Sequence, residues 1–275
     1  MKISVIFTTY NSPLWLQKVL WGLNEQSDNN FEIIVADDGS DNDTSQIIDQ
    51  FRAESNIDVQ HIWHPDDGFQ KCRILNKAIL ASTGDYIVMT DGDCIPRYDF
   101  VAEHRKRATP GYFLSGGYLK LPMNASEAIT KDDIVSGRCF STSWLKQHDV
   151  RLGYRAAKLN SGPIQAAILN TIIPTRKTWN GHNASCFKKD ALKVNGFDER
   201  MKYGGLDVEF GIRLKNLGLS VKRIRYNTAC LHLEHGRGYA NEADMARNKR
   251  IRSTSILEKI IETPAGIKQH SDASS

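Results

Sequence analysis

The first third of the chain alternates short apolar segments with helical patterns, and this alternation limits the possible folds more than any other feature. The apolar segments cover residues 3–7, 31–36, 57–63 and 86–89. After the first of them, Ser12 and Pro13 can start a helix whose apolar residues recur at helical spacing. Strands that alternate with helices form a mostly parallel sheet with right-handed crossovers. We therefore predict an α/β fold with a mostly parallel central sheet and flanking helices.

Polar residues follow three of these apolar segments, at the point where each strand would end. They occupy residues 8–11, Asp37 and Asp38, and Asp91 and Asp93. In mostly parallel sheets, ligands bind outside the carboxyl ends of the strands. The three polar groups are therefore expected to converge on one ligand-binding edge. No GxGxxG pattern follows the first strand, so a dinucleotide-binding site is not expected there.

The triplet Asp91-Gly92-Asp93 ends the fourth apolar segment. Two carboxylates so close together repel each other unless a cation or a hydrogen-bond donor lies between them. Oxygen ligands of this kind suit a divalent cation that carries phosphate, and Gly92 would let a ligand approach the backbone. The alternative is an ordinary acidic turn, since Asp and Gly are common turn residues.

A second carboxylate, Asp207, lies near the start of a helical pattern that contains Phe210 and Leu214. It precedes Phe210 by three residues, so it lies over the apolar stripe in the first turn of the predicted helix. The helix dipole there favours the ionised form, which a general base requires at neutral pH. The alternative is an ordinary acidic residue at a helix N-terminus.

Two histidines, His232 and His235, follow an apolar run near residue 230. One imidazole could join Asp93 on a metal ion, or both could be surface residues. Cys94 is not expected to be a ligand, because a soft thiolate suits a hard cation poorly.

Composition excludes several classes of function. The balance of 36 Lys and Arg against 32 Asp and Glu gives a net charge of +4, too small to indicate nucleic-acid binding. Five scattered cysteines without a CxxC pair indicate neither a disulfide framework nor a zinc cluster and fit a reduced, cytoplasmic setting. No apolar stretch is long enough for a signal sequence or a membrane span, so any membrane contact is expected to be peripheral.

Residues 124–180 lack a clear period, and in residues 144–177 apolar side chains are interleaved with basic ones. This stretch is either an excursion with a solvated basic face or a patch that binds a membrane surface or a polyanion. Binding to a membrane surface would place the protein at the cytoplasmic face of the membrane.

Taken together, these motifs resemble those of the nucleotide-sugar-dependent glycosyltransferases of family two, which have the GT-A fold. Residues 5–11, 35–40, 68–76 and 90–93 resemble the opening strand, the nucleobase-binding strand end, the segment before the DxD strand and the DxD motif. Residues 180–214 resemble the C-terminal module of galactosyltransferases and bacterial chondroitin-type polymerases. The resemblance covers most of residues 1–240.

The resemblance implies a role for each matching residue. Asp207 would be the base of an inverting transfer, and Asp93 would be the main ligand of Mn²⁺ or Mg²⁺, with His232 slightly preferred over His235 as a further ligand. Leu206 stands where relatives often have an acidic residue, so Glu209 would supply an acceptor contact beside Gly205. The residues implied to frame the nucleotide are Thr8, Tyr10, Asp37, Arg73 and Asp91.

The implied organisation is one GT-A domain with a C-terminal helix. Residues 1–122 would form the nucleotide-sugar-binding half, residues 123–262 the acceptor-binding and catalytic half, and residues 263–275 a flexible tail. The implied donor is a nucleoside-diphosphate sugar, with UDP as the expected nucleotide. The acceptor would be a saccharide or lipid-linked saccharide of bacterial surface polysaccharide or lipopolysaccharide synthesis. Donor sugar, linkage and oligomeric state stay open.

Three other readings share parts of this pattern. A haloacid-dehalogenase-like phosphatase would carry its DxD motif on the first strand, whereas here the motif follows about the fourth. A sugar nucleotidylyltransferase would have a Gly-rich, Arg-containing loop near Tyr10, which is absent. A non-catalytic carbohydrate-binding or assembly subunit on the same fold would not need both Asp93 and Asp207.

Overall fold

The computed structural model describes residues 1–236 and 241–271. Its strands, in chain order, are β1 (Ile3–Thr9), β2 (Phe31–Asp37), β3 (Asp58–Trp63), β4 (Tyr86–Asp91), β5 (Cys94–Pro96), β6 (Tyr112–Ser115), β7 (Gly117–Lys120), β8 (Ala184–Phe187), β9 (Ser220–Arg223) and β10 (Ala229–His232).

Helices flank these strands and fill the long connection between β7 and β8. They are α1 (Pro13–Asn24), α2 (Asn42–Glu54), α3 (Lys71–Ala81), α4 (Phe100–Arg107), α5 (Met123–Ala128), α6 (Lys131–Val135), α7 (Thr142–Gln147), α8 (Ala157–Asn160), α9 (Pro163–Ile172), α10 (Lys188–Lys193), α11 (Leu206–Asn216), α12 (Glu242–Leu257) and α13 (Lys268–Ser271). Short 3₁₀ turns cover Arg138–Phe140 and Gly153–Ala156.

The main sheet has the strand order β3-β2-β1-β4-β8-β6-β9 within the described residues. Strands β3, β2, β1 and β4 are parallel, as the alternation of strands and helices predicts, and β8 is antiparallel to both of its neighbours. Side chains alternate across the sheet, so Val5 and Phe7 pack with α1 on one face while Ile6 packs with α3 on the other. Both faces are covered, as mostly parallel sheets require.

A smaller sheet, β5-β10-β7, brings the second half of the chain to the end of β4. Residues His232 and Cys94 are partners in the antiparallel pairing of β10 with β5. The backbone N–H of Leu233 also donates to the carbonyl oxygen of Asp93 at 2.9 Å. Between residues 111 and 121, Gly116 separates two short strands, β6 and β7, which join different sheets. This division lets one segment serve both the main sheet and the ligand-binding edge.

The connection between β7 and β8 forms an excursion of short helices whose inner side chains, such as Trp144 and Leu145, join the core on the α1 face of the sheet. Helix α9 leaves apolar side chains exposed, spaced four residues apart: Ile164, Ile168 and Ile172. No helix in the described ranges is both long and apolar enough to cross a bilayer.

The C-terminal segment differs from the predicted flexible tail over residues 263–271. Ile267 is buried in the core on the α3 face, and its backbone N–H donates to the carbonyl oxygen of Asn195. The side chain of Asn195 in turn donates to the carbonyl oxygen of Thr263 at 2.7 Å. Burial of the Ile267 side chain anchors this segment, although most of its residues are polar. Residues 272–275 lie outside the described part of the chain.

Candidate active site

The carboxyl ends of β1, β2 and β4 bring the predicted polar residues together. In the sheet register, Thr8 lies beside Asp91, and Thr9 lies beside Asp37. The backbone N–H of Gly92 donates to the carbonyl oxygen of Thr8 at 3.0 Å. A Cβ atom at position 92 would lie only 2.6 Å from that oxygen, so the turn of the DxD motif requires glycine.

Asp93 faces His232, the last residue of β10, and His235, which follows that strand. Its Oδ2 atom lies 2.9 Å from Nε2 of His235 and 3.9 Å from Nε2 of His232. Each imidazole has its Nδ1 atom 2.8 Å from a backbone carbonyl oxygen, an arrangement that turns Nε2 toward Asp93. Burial opposes ionisation of Asp93, but the hydrogen bond from His235 and the nearby positive charges outweigh it, so the pKa of Asp93 is lowered.

The donor set fits a divalent cation. Oδ1 of Asp93 is buried and has no hydrogen-bond partner among the described residues, so it is a polar atom that needs a ligand. Carboxylate oxygens and imidazole nitrogens together suit Mn²⁺ and comparable cations. Ligand atoms of Asp93, Cys94 and His232 also lie within 4.8 Å of one another. Burial raises the pKa of the Cys94 thiol well above its usual value.

Lys71 is a site residue that the sequence analysis missed. Its Nζ atom lies 2.7 Å from Oδ1 of Asp91. Burial opposes the charged amine, but Asp91, Asp207 and Asp93 outweigh burial and raise the pKa of Lys71. The implied residue, Arg73, is exposed on α3 and donates to the side chain of Gln70 at 3.1 Å. Helix α3 therefore places Lys71 at the site, two residues before Arg73, which the resemblance suggested.

Asp207 lies in the first turn of α11, after Gly205, which caps the helix in the left-handed conformation with φ of 83°. The pKa of Asp207 is raised to about 6, mainly by burial and also by the negative charge of Asp91. The positive charge of Lys71 and a hydrogen bond from the backbone N–H of Gly181 act in the opposite direction. The helix dipole alone predicts the opposite shift, and burial outweighs it. Oδ1 of Asp207 is buried and has no hydrogen-bond partner among the described residues.

A glycine makes room for this carboxylate. A Cβ atom at Gly181 would lie 2.7 Å from Oδ1 of Asp207. The next residue, His182, belongs to the same site, although the sequence analysis gave it no role. Burial lowers the pKa of His182 to about 4, and its Nε2 atom has no hydrogen-bond partner in the described part of the chain. The imidazole is therefore neutral, and Nε2 is available to a ligand.

The predicted nucleobase region is closed by the loop that follows β3. The hydroxyl of Tyr10 donates to Asp66 at 2.9 Å. Asp37 is buried, and its two oxygens contact the Ser40 backbone N–H and His61 Nε2, each at 2.8 Å. Thr8, Tyr10 and Asp37 thus lie along one edge, as predicted, whereas the carboxylate of Asp37 is already hydrogen bonded.

The resemblance implies that Glu209 contacts the acceptor, but the structure shows its side chain in a different environment. Its side chain is fully buried and forms a bidentate ion pair with Arg213, with distances of 2.8 to 3.0 Å. The hydroxyl of Ser255 donates to the same carboxylate at 2.8 Å. The structure therefore assigns Glu209 to a buried ion pair within α11, which Ser255 of α12 contacts. Gly205 remains next to Asp207 at the open edge.

Two family models match this chain over the regions that build the site. Residues 4–115 match the glycosyl transferase family 2 model, which includes the ends of β1, β2 and β4. Residues 172–236 match the model of the N-terminal domain of galactosyltransferase, which includes Asp207 and both histidines.

Curated relatives include polysaccharide synthases. The chain is 27% identical to hyaluronan synthase from Pasteurella multocida over 94% of its own length and 27% of that protein. It is 26% identical to chondroitin synthase from Escherichia coli over 94% of its length and 38% of that protein. It therefore spans well under half of either synthase. The uncharacterized glycosyltransferase YfnE from Bacillus subtilis is 27% identical to this chain, over 90% of the length of this chain and 69% of the length of YfnE.

Solved structures share the fold. The mannosyltransferase PcManGT from Pyrobaculum calidifontis, in complex with GDP-Man and Mn²⁺, aligns with a TM-score of 0.59 and 18% identity over 99% of this chain and 69% of that one. S. aureus TarS 1-349, in complex with UDP-GlcNAc, aligns with a TM-score of 0.60 and 18% identity over 98% of this chain and 69% of that one. The chain therefore has the GT-A fold, and its two matched regions are similar to glycosyl transferase family 2 and to the N-terminal domain of galactosyltransferase.

Proposed function

We propose that the protein is a metal-dependent, inverting glycosyltransferase that moves a sugar from a UDP-sugar to a saccharide acceptor of bacterial surface polysaccharide. The observation that carries this proposal is the convergence of Asp91, Asp93 and Asp207 around Lys71 at one sheet edge. The polysaccharide synthases among its relatives and the UDP-GlcNAc complex of TarS support the donor and acceptor classes.

Asp207 acts as the general base in this proposal. With a pKa of about 6 it is mostly ionised at neutral pH, yet it is basic enough to accept a proton from an acceptor hydroxyl. Its buried Oδ1 atom has no partner in the described residues, so it is available for that proton. A single displacement, with the acceptor oxygen attacking opposite the departing nucleoside diphosphate, inverts the anomeric carbon.

Asp93, His232 and His235 would hold the cation, and Asp91 would contact it or the ribose. A bound Mn²⁺ or Mg²⁺ supplies charge stabilisation to the departing diphosphate. Lys71 keeps Asp91 and Asp207 in an environment that tolerates their negative charge. Thr8, Tyr10 and Asp37 line the nucleotide side of the site, and the location at the carboxyl ends of β1 and β2 supports that role.

The protein is also proposed to contact a lipid surface peripherally. The exposed isoleucines of α9 form an apolar stripe, and basic residues flank it in the same excursion, including Arg155 and Lys177. An apolar stripe beside basic side chains suits an anionic membrane surface. Such contact would place the site near lipid-linked saccharides.

The test is UDP release from a panel of UDP-sugars, with Mg²⁺ or Mn²⁺ or with a chelator. We expect one or a few donors to give metal-dependent release, and we expect Asp207→Asn to lower kcat at least about a hundredfold, as for loss of general-base catalysis. Metal-independent release, or full activity of Asp207→Asn, would contradict the proposal.

A further inference from the structure

Three basic side chains, Arg155, Lys158 and Arg225, lie together beside the site. Arg155 and Lys158 lie three residues apart on consecutive helical turns, and the Lys158 amine contacts Tyr118, whose neighbour Gly117 packs against Arg225. Burial, Arg225 and Arg155 together lower the pKa of Lys158 to about 8. None of them forms an ion pair with a carboxylate in the described part of the chain. Other arginines do, including Arg97 with Asp99.

Packing holds Lys158 and Arg225 in place. The Lys158 amine donates to the backbone carbonyl of Tyr118 at 2.8 Å and lies 5.8 Å from the centre of the Tyr118 ring. Gly117 allows close approach on the other side, because a Cβ atom there would lie 3.3 Å from Cβ of Arg225. Asn170 of α9 bonds to Asn227 and to the backbone N–H of Tyr226, which fixes the segment that carries Arg225.

One layer of side chains separates this cluster from the reacting groups. The Tyr118 ring contacts the rings of His182 and His232, with centroid distances of 4.4 and 5.3 Å. Arg225 also lowers the pKa of His182, so it lies close to that imidazole. His182 follows Gly181, whose position contacts Asp207. The cations are therefore near the proposed base.

The cluster lies on the acceptor side of the metal site. The proposed nucleotide groups belong to β1 and β2, which lie on one flank of β4. Tyr118 belongs to β7 of the smaller sheet, and His182 directly precedes β8 on the opposite flank of β4. A saccharide next to Asp207 can extend toward the cations without crossing the nucleotide edge.

We propose that Arg155, Lys158 and Arg225 form a subsite for a carboxylate or phosphate group of the acceptor, so that the enzyme glycosylates an anionic saccharide. Like charges brought together without acidic partners repel one another, and a bound anion relieves that repulsion. Guanidinium groups also bind carboxylate and phosphate in a bidentate manner. This inference rests on the proposed function, because it names the acceptor class for the same site.

The experiment measures binding of matched probes by NMR in the presence of saturating UDP and Mg²⁺. Methyl β-glucuronide is compared with methyl β-glucoside, and ribitol 5-phosphate with ribitol, so that the two arms separate a carboxylate from a phosphate. We expect at least one anionic probe to bind about tenfold more tightly than its neutral partner, as for a charge-assisted contact. That preference should weaken as ionic strength rises.

Variants locate the preference. Arg225→Gln and the double variant Lys158→Gln/Arg225→Gln should remove most of it, and Arg225→Lys should keep part of it. Arg155 is exposed, so Arg155→Gln removes one cation of the cluster without disturbing the packing. Lys146→Gln removes an exposed cation of the same excursion and serves as the matched control.

Equal binding of anionic and neutral probes, or no binding of either, would overturn the inference. It would also be overturned if the variants weakened UDP binding as much as probe binding, because the cations would then serve the donor. UDP calorimetry on the same samples separates the two proposals. Normal UDP binding without anion preference defeats only this inference, whereas absence of UDP binding defeats the proposed function.

Discussion

Replacing Lys71 with methionine should move the acid limb of the pH–activity profile upward. Asp207 has a pKa of about 6, and Lys71 is the nearby cation that holds it down. Activity requires the ionised base, so in the wild type it is present above pH 6 and falls as the pH drops through that value.

The size of the shift follows from the loss of an opposite charge, which raises the pKa of a carboxyl group by about 1 to 3. The pKa of Asp207 would then be about 7 to 9, and its ionised fraction at pH 7 would fall from about nine-tenths to one-half or less. Lys71→Arg keeps the charge and should keep the wild-type profile. Lys77→Met removes another lysine of α3, away from the carboxylates, and is the matched control.

Two assays follow the change. UDP release from the best donor of the panel gives kcat/KM against pH, and ¹³C NMR of the Asp207 carboxyl group, assigned with Asp207→Asn, gives its pKa without turnover. An unchanged carboxyl pKa in Lys71→Met would refute the electrostatic reasoning. An unchanged activity profile despite a shifted carboxyl pKa would refute Asp207 as the base.

Three further changes test other parts of the account. Gly181→Ala should lower kcat at least about tenfold with UDP binding intact, because the new Cβ would lie 2.7 Å from the proposed base; Gly162→Ala, with open space around it, is the control for calorimetry and kinetics. Arg213→Met should lower the free energy of unfolding in urea by about 3 to 5 kcal/mol, because it leaves Glu209 buried and unpaired. In Arg247→Met, whose ion pair is partly exposed, the loss should stay below about 1 kcal/mol; equal losses would contradict the role of burial. Serine at all three positions of the α9 stripe should weaken binding to anionic liposomes at least about tenfold, and absence of wild-type binding at low salt would refute membrane contact by Ile164, Ile168 and Ile172.

The parallel half of the fold could be predicted because local pattern and strand register agree. The polar residues that follow each apolar run form the end of the same strand, so Thr8, Asp37 and Asp91 meet at one edge. The positions of Asp207 and the histidines followed from the resemblance to the family. Their approach to Asp93 depends on the second sheet, which pairs residues far apart in the chain.

Quantities that depend on tertiary surroundings could not be predicted. Burial raises the pKa of Asp207 and outweighs both the local helix dipole and the charge of Lys71 on α3. Lys71 and Arg73 differ by two positions on one helix, so the phase of the helix decides which of them reaches Asp91. Glu209 and Arg213 have the spacing of a helical ion pair, but the sequence does not show that α12 buries them.

The central claim is that Asp93 and the histidines hold a metal that binds the diphosphate of a uridine nucleotide. Titration calorimetry with UDP, with and without Mn²⁺, on the wild type and on Asp93→Ala tests it most directly. The account predicts binding that requires Mn²⁺ and disappears in Asp93→Ala. Metal-independent UDP binding, or binding that survives the loss of Asp93, would contradict it, and absence of UDP binding under every condition would exclude UDP as the donor nucleotide.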